Sequence, residues 1–286
     1  MKIETVGIIT KPGAPEVAQV AARLTDWFSE RNVMVVLESE TARQSGRIDS
    51  GVSDEEFGSR PDLAVVVGGD GTLLAGARLL AGREIPILAI NYGGLGFLTA
   101  VTIQELYTDL ERVLAGEFIS DRRMMIEVTH MRSGAPIASH KALNDVVINK
   151  GTPARMIEVE VRVDDEYMST FRADGLIVAT PTGSTAYNLS AGGPIVHPKL
   201  SAVLMTPICS HTLTNRPIVL PEEVRIVVTF NSQGEEGVYA TVDGQVGLLL
   251  EGGDQLEVRA ARDRVQLIAP LGKSYFDVLR GKLKWG

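Results

Sequence analysis

The stretch "DLAVVVGGDGTLLAGARLLA" runs from Asp62 to Ala81. Leu63 to Val67 form an unbroken apolar run, the mark of a strand buried on both faces in a parallel sheet. Gly68, Gly69 and Gly71 then surround a single carboxylate, Asp70, and from Leu73 to Ala81 the apolar spacing is helical. Strand, glycine turn and helix in direct succession predict a βα unit with its turn at the carboxyl end of a parallel strand, the end at which such sheets bind ligands.

The flanking sequence repeats the pattern. "ETVGIIT" (Glu4–Thr10), "VMVVLE" (Val33–Glu38) and "PILAIN" (Pro86–Asn91) read as strands. Val17–Arg31 and Thr102–Ala115 read as helices, the second with Thr102 as N-cap and Glu105 in the capping-box position. The polar stretch Thr41–Asp62 reads as an excursion loop. Residues 1–118 are therefore expected to form an α/β domain with a parallel sheet, carrying the GGDGT turn. After Gly116 the texture changes to short β-rich runs at 123–131, 142–149, 156–163, 167–172, 175–180, 217–220, 225–230, 237–242, 247–250, 254–260 and 264–269. They predict an all-β, sandwich-like C-terminal domain over 119–269. "SYFDVLRGKLKW" (Ser274–Trp285) is helical again, and the segment 270–286 is expected to return to the α/β domain.

Composition removes several classes of function. The chain has 286 residues, ordinary hydrophobic content and a formal net charge of −8, with no basic run, so nucleic acid is not an expected partner. No apolar stretch approaches the ~18 residues of a membrane span. The single cysteine, Cys209, allows no intramolecular disulfide and fits a cytoplasmic location. The four histidines (His130, His140, His197, His211) are scattered, with no metal-binding spacing, so no dedicated protein metal site is expected.

Chemistry concentrates in two places. At Gly68–Gly71 the backbone can come close to a ligand, and the amides opening the helix can hold phosphate. A carboxylate there repels phosphate unless it has another task, such as accepting a proton from a hydroxyl or holding a divalent cation. A tight turn with an aspartate cap is the plainer alternative. Neither the P-loop pattern nor the dinucleotide GxGxxG is present. "RADGLIVATPTGSTAYNLSAGGPIVHP" (Arg172–Pro198) crowds small hydroxyl residues and glycines into one bend, offering many hydrogen bonds with little bulk, as a polar planar ligand requires.

"GGDGT" (Gly68–Thr72) resembles the signature of a superfamily that holds NAD kinases, diacylglycerol and sphingosine kinases, and phosphofructokinases. "TPTGSTAY" (Thr180–Tyr187), "ALNDVVI" (Ala142–Ile148), "NYGGLGFL" (Asn91–Leu98) and "SHTLTNRPIVLP" (Ser210–Pro221) resemble, in order, blocks of the NAD kinase family. The resemblance implies an α/β domain, a β-rich domain and a site in the cleft. It also implies 2′-phosphorylation of the adenosine ribose of NAD by ATP with Mg²⁺ or another divalent metal, and a homodimer or homotetramer. It makes Asp70 the general base or the group positioning the 2′-hydroxyl, and places Gly71 and Thr72 at the phosphate of the donor. Asn144 and Asp145 would bond the adenosine portion, although the family pair is usually Asn-Glu and Asp145 is one methylene shorter. Asp174, Thr185, Ala186, Tyr187, Asn188 and Ser190 would line the dinucleotide pocket. Arg155, Arg172 and Gln245 would contact ligand, and Phe97 would pack beside the adenine. A lipid kinase of the superfamily shares "GGDGT" without "TPTGSTAY"; a nucleotide sensor would bind NAD without consuming ATP; a structural oligomer gives no reason for Asp70 among glycines.

Overall fold

The apolar runs of the first third assemble a parallel sheet. In a computed structural model, which describes residues 2–94, 96–99, 101–150, 156–210, 214–231, 238–269, 271–272 and 274–285, strands β1 (Thr5–Thr10), β2 (Met34–Glu38), β3 (Gly51–Val52), β4 (Leu63–Gly68), β5 (Pro86–Asn91) and β6 (Val101–Thr102) alternate with helices α1 (Pro15–Ser29), α2 (Ser39–Ser45), α3 (Asp54–Phe57), α4 (Asp70–Leu79) and α5 (Leu106–Leu114). They belong to one unit of the chain, Met1–Arg122 with Val265–Gly286; Arg123–Arg264 form the other.

In the first unit the strand order is β3-β2-β1-β4-β5, every pair parallel. β1, β4 and β5 are buried at every residue, as a parallel sheet covered on both faces requires. α1 starts on Pro15, where a missing N–H costs nothing, and lays Val20, Leu24 and Phe28 against Val6, Ile8, Leu63 and Val65. The strand order reverses direction between β1 and β4, a topological switch point, and parallel sheets bind ligands beyond the carboxyl ends of the strands at such points. The chain leaves β4 there, at Gly68.

Three local expectations are corrected. The polar stretch 41–62 is not an excursion loop: it contains part of α2, then β3 and α3. Side chains hold these short elements. The Glu38 carboxylate accepts N–H bonds from Glu40 and Thr41, and Ser53 with Glu56 forms a complete capping box. The helix after Gly69 begins at Asp70, three residues before its apolar pattern does. The helix expected from Thr102 begins at Leu106, because Glu105 bonds the Thr102 amide and hydroxyl (3.0 and 2.7 Å) across a turn.

The second unit is antiparallel. Its strands are β7 (Ile119–Arg132), β8 (Ala135–Ala142), β9 (Asp145–Lys150), β10 (Ile157–Val163), β11 (Glu166–Ala173), β12 (Gly175–Ala179), β13 (Ala202–Ile208), β14 (Ile218–Pro221), β15 (Ile226–Phe230), β16 (Val238–Val242), β17 (Val246–Leu250) and β18 (Gln255–Ala269). One-turn helix α6 (Tyr187–Ser190) precedes β13, and α7 (Tyr275–Leu283) follows β18. One sheet runs β14-β13-β12-β9-β16-β17; the other joins β11, β10, β15 and β18 to the β7–β8 hairpin. Ile126, Val146, Leu176, Met205, Val228 and Leu256, drawn from both sheets, share one core, which makes the unit a β-sandwich. β13 has no counterpart among the expected strands because Pro207 interrupts its pattern. Its pairs with β14 stop at Met205, so Pro207 lies beyond the stretch paired on that side. The ends of β7 and β18 enter the first unit, where Gln266 and Leu267 pair with Pro86 and Ile87 of β5, and Val278 and Leu279 of α7 are buried.

Candidate functional site

In the first unit, Asp70 is the first residue of α4 and Gly69 is its N-cap. The Asp70 carboxylate does not cap that helix. It reaches the loop after β5, where Oδ2 accepts the Phe97 amide (2.9 Å) and Oδ1 accepts the amides of Leu98 and Thr99 (3.2 Å each) and the Thr99 hydroxyl (3.1 Å). The carboxyl group is thereby fixed in orientation, with Oδ2 carrying a single bond from the described residues.

The glycines divide by task. A Cβ on Gly96 would overlap Asp70 and Thr99, and one on Gly68 would overlap Thr72, whose side chain is buried there. Gly69 is different. Its backbone is extended (φ −107°, ψ −172°), a conformation open to any residue, and a Cβ there meets nothing within 4 Å. Neither packing nor backbone demands glycine at this position. What its bareness provides is room against the amino end of a ten-residue helix, a natural seat for phosphate. Lys282 of α7 holds its Nζ 5.5 Å from the centre of the Phe97 ring.

In the second unit the site residues gather at the start of β9. The β16–β17 turn carries Asp243 and Gly244, both at positive φ. The Asp243 carboxylate accepts the amides of Leu143 (3.1 Å), Asn144 (2.8 Å) and Asp145 (3.2 Å). On the other flank the Asn144 carbonyl accepts the Thr180 amide (2.8 Å), and the Thr180 hydroxyl donates to the Leu143 carbonyl (2.6 Å). Gly183 packs directly on the Asn144 backbone, so a Cβ there would overlap main-chain atoms that cannot rotate away. Gly183→Ala is expected to destabilise the chain by roughly 1–3 kcal/mol in urea unfolding and to weaken dinucleotide binding with it. An unchanged midpoint and unchanged binding would show that this contact sets nothing.

Two side chains held this way point to a ligand. Asn144 Oδ1 is buried and has no hydrogen-bond partner among the described residues, a cost that a bound donor removes. Asp145 is 4% exposed, and its carboxyl is pushed up to about 7 by burial and by the neighbouring Asp243 charge.

The remaining expected residues fall into different environments. Asp174, between β11 and β12, is paired with Lys150 (2.6 Å). Gly175 beside it admits no Cβ against the Ile148 carbonyl. Thr185 is buried and Ala186 half-buried, while Tyr187, Ser190 and Gln245 are exposed. Arg172 is exposed on β11 and pairs with Glu158 (2.8 Å). Asn188 is fully buried, its amide spent on the Ser184 and Pro194 carbonyls (3.1 Å each) and the Thr206 hydroxyl (2.7 Å). That geometry makes it the clamp of the Ser184–Pro194 turn rather than a surface for ligand. Arg155, and residues 211–213 of the "SHTLTNRPIVLP" block, lie outside the described residues.

Sequence reading missed Asp243, Thr99 and Lys150, and included Asn91 in the "NYGGLGFL" block without giving it a role. Asp243 had a signal, an Asp-Gly pair between two β-rich runs; Thr99 and Lys150 had none. It also missed a buried lock away from the site. The His130 ring (2.8 Å), the Arg132 guanidinium (2.8 Å) and the Glu251 amide (2.9 Å) converge on Asp254 Oδ2. Burial alone would raise the Asp254 carboxyl; those bonds hold it well below the usual carboxylate range.

Among the described residues no helix is long and apolar enough to cross a membrane. Residues 6–118 match the family model of the ATP-NAD kinase N-terminal domain, and residues 143–269 that of the ATP-NAD kinase C-terminal domain. An NAD kinase of Geobacter metallireducens is 50% identical over 284 residues, covering 99% of each chain. Yeast NADH kinase, solved with NADH, superposes with a TM-score of 0.90 at 27% identity, over 100% of this chain and 88% of that one. An Archaeoglobus fulgidus NAD kinase, solved with ATP, gives 0.77 at 27% identity over 98% of both chains. A glycine-bare helix mouth beside a clamped carboxylate, an orphaned amide beside a buried acid, and matches that run nearly end to end agree: the chain belongs to the ATP-NAD kinase family.

Proposed function

We propose that the chain transfers the γ-phosphoryl group of ATP to the 2′-hydroxyl of the adenosine ribose of NAD, giving NADP and ADP. The observation that carries this reading is the Asp70 carboxylate at the start of α4, held by the 97–99 loop with three donors on Oδ1 and one on Oδ2 among the described residues. The names of the relatives, NAD kinase and NADH kinase, support the substrate.

Asn144 Oδ1 and the Asp145 carboxyl accept hydrogen bonds from the adenosine portion, and Asp174, Thr185, Ala186, Tyr187 and Ser190 line the rest of the dinucleotide site. Arg155, Arg172 and Gln245 contribute outer contacts, and Phe97 lies beside the adenine. Gly71 and Thr72, with the opening turn of α4, meet the phosphates of the donor. The ribose hydroxyl donates to Asp70 Oδ2. As its oxygen bonds to phosphorus and the bond to the ADP oxygen breaks, its proton passes to that carboxylate. A positioned base contributes about 10²–10⁴-fold, and alignment and charge stabilisation supply the rest.

Among the described residues no three His, Cys, Asp or Glu side chains form a metal cage. Mg²⁺ is commonly held by substrate phosphates with few protein ligands, so the cation would arrive with ATP. When bound, Mg²⁺ supplies neutralisation of the transferring phosphoryl charge. The reading places the enzyme in the cytoplasm as a homodimer or homotetramer. Tyr239 and Leu249, exposed cross-strand neighbours on β16 and β17, supply an apolar face for such assembly.

The test is to incubate the purified chain with NAD, ATP and Mg²⁺ and to detect NADP with an NADP-specific dehydrogenase. NADP that disappears when Mg²⁺ is chelated is the expected result. NAD binding by calorimetry without NADP formation from ATP would overturn the proposal.

A further inference from the structure

The loop after β5 contains a buried side-chain relay that the motifs do not announce. Asn91, the last residue of β5, is 4% exposed and Thr99 is fully buried. Asn91 Nδ2 lies 3.0 Å from the Thr99 hydroxyl, 3.3 Å from the Thr99 carbonyl and 2.9 Å from the Gly94 carbonyl. The Thr99 hydroxyl, accepting from Asn91, donates a hydrogen bond to Asp70 Oδ1. A hydroxyl rotates to suit its partners; with Asn91 donating to one of its two lone pairs, the orientation toward Asn91 is removed and the O–H turning to Asp70 is favoured.

The consequence is an asymmetry between the two carboxylate oxygens. Oδ1 takes three donors, the amides of Leu98 and Thr99 and the Thr99 hydroxyl; Oδ2 takes one from the described residues. By this count Oδ2 keeps the greater capacity to accept from a substrate hydroxyl. The close fit depends on Gly96, since a Cβ there would overlap both Asp70 Oδ1 and Thr99 Oγ1. A carboxylate held by backbone amides alone can rock about its terminal torsion, which is broad; a side-chain donor from a fourth direction narrows that motion.

We propose that Thr99 is a positioning residue for Asp70, itself aimed by Asn91, and that the Asn91–Thr99–Asp70 relay reserves Oδ2 for the acceptor hydroxyl. The proposal rests on the reading of Asp70 as the group that handles the ribose hydroxyl. Thr99 is fully buried, with its hydroxyl engaged by Asn91 and Asp70. Its loss should therefore appear in turnover and not in NAD affinity, because alignment counts in the transition state more than in the bound complex.

The experiment compares wild type, Thr99→Val, Thr99→Ser and Asn91→Ala by NADP formation, with unfolding midpoints measured for each. Thr99→Val keeps the shape and deletes the donor; it should lower kcat by about 10-fold with KM for NAD unchanged, the effect of one lost aligned hydrogen bond. Thr99→Ser keeps the hydroxyl and should restore most of kcat. Asn91→Ala combined with Thr99→Val should cost less than the product of the single effects, as members of one relay do. Thr99→Val at wild-type kcat, or Thr99→Ser as impaired as Thr99→Val, or a loss confined to KM, would overturn the relay while leaving the function in place. A wild-type chain that forms no NADP would overturn the reading of the site and the relay together.

Discussion

Asp70→Asn lowers kcat for NADP formation by about 10³-fold or more, while NAD binding measured by calorimetry changes by no more than a few-fold. The asymmetry follows from the geometry. Asp70 sits on the first unit at the opening of α4, whereas Asn144 and Asp145, which we propose bind the adenosine portion, belong to the second unit and keep their own scaffold of Asp243 and Thr180. The substitution also has a structural cost. An amide can present one acceptor and one donor, but both carboxylate oxygens accept: Oδ1 from Leu98, Thr99 and the Thr99 hydroxyl, Oδ2 from Phe97. The new NH₂ therefore faces the Phe97 N–H, two donors with no acceptor between them, and the midpoint of unfolding falls by the equivalent of roughly 1–3 kcal/mol. A variant that keeps more than a tenth of wild-type kcat sinks the assignment of Asp70 to the ribose hydroxyl.

Asp145→Asn separates stability from function. Folding raises the Asp145 carboxyl from its ordinary 3.8 to about 7, through burial and through Asp243. The sign is that of an acid that prefers its proton in the folded state. Below pH ~4 both states are protonated and the residue is neutral to stability; between pH ~4 and ~7 the unfolded chain releases the proton more readily, so stability falls; above ~7 the penalty is complete. A shift of this size corresponds to roughly 4 kcal/mol at pH 8. Asp145→Asn removes the titration, so the variant is more stable than wild type at pH 8 and equal to it near pH 4. Its KM for NAD rises about tenfold, because one acceptor oxygen becomes a donor facing the adenosine. Equal unfolding curves at pH 8 would show that the carboxyl is not strained by its neighbour. A buried acid retained beside another acid is the usual trade of stability for a ligand site.

Both effects depend on side chains that come from separate parts of the sequence. The local apolar runs determined β1, β4 and β5, because a strand buried on both faces must be apolar throughout. The change to short β-rich runs after Gly116 determined the antiparallel sandwich, and the order of "GGDGT", "NYGGLGFL", "ALNDVVI" and "TPTGSTAY" determined the family. Elements that depend on a few polar contacts were not legible in that way: α2 and α3 exist through caps at Glu38 and Ser53, and β13 survives Pro207 because its pairing with β14 has already ended.

What only the tertiary structure decided is which polar groups meet. Asp70 lies 27 residues from Phe97, Asp243 about 100 from Leu143, and the pairs form because the carboxyl end of β4 adjoins that of β5 and because β16 lies beside β9. Periodicity reports the face a residue presents, since burial acts on each residue separately. A hydrogen bond across the fold depends on two positions at once, and a single chain carries no mark of that pairing. The sequence alone thus determined the sheet, the sandwich and the location of the acid among glycines. The fold decided that three donors, from Leu98 and Thr99, meet one oxygen of this acid and one donor, from Phe97, meets the other, because only folding brings four donors to one carboxylate.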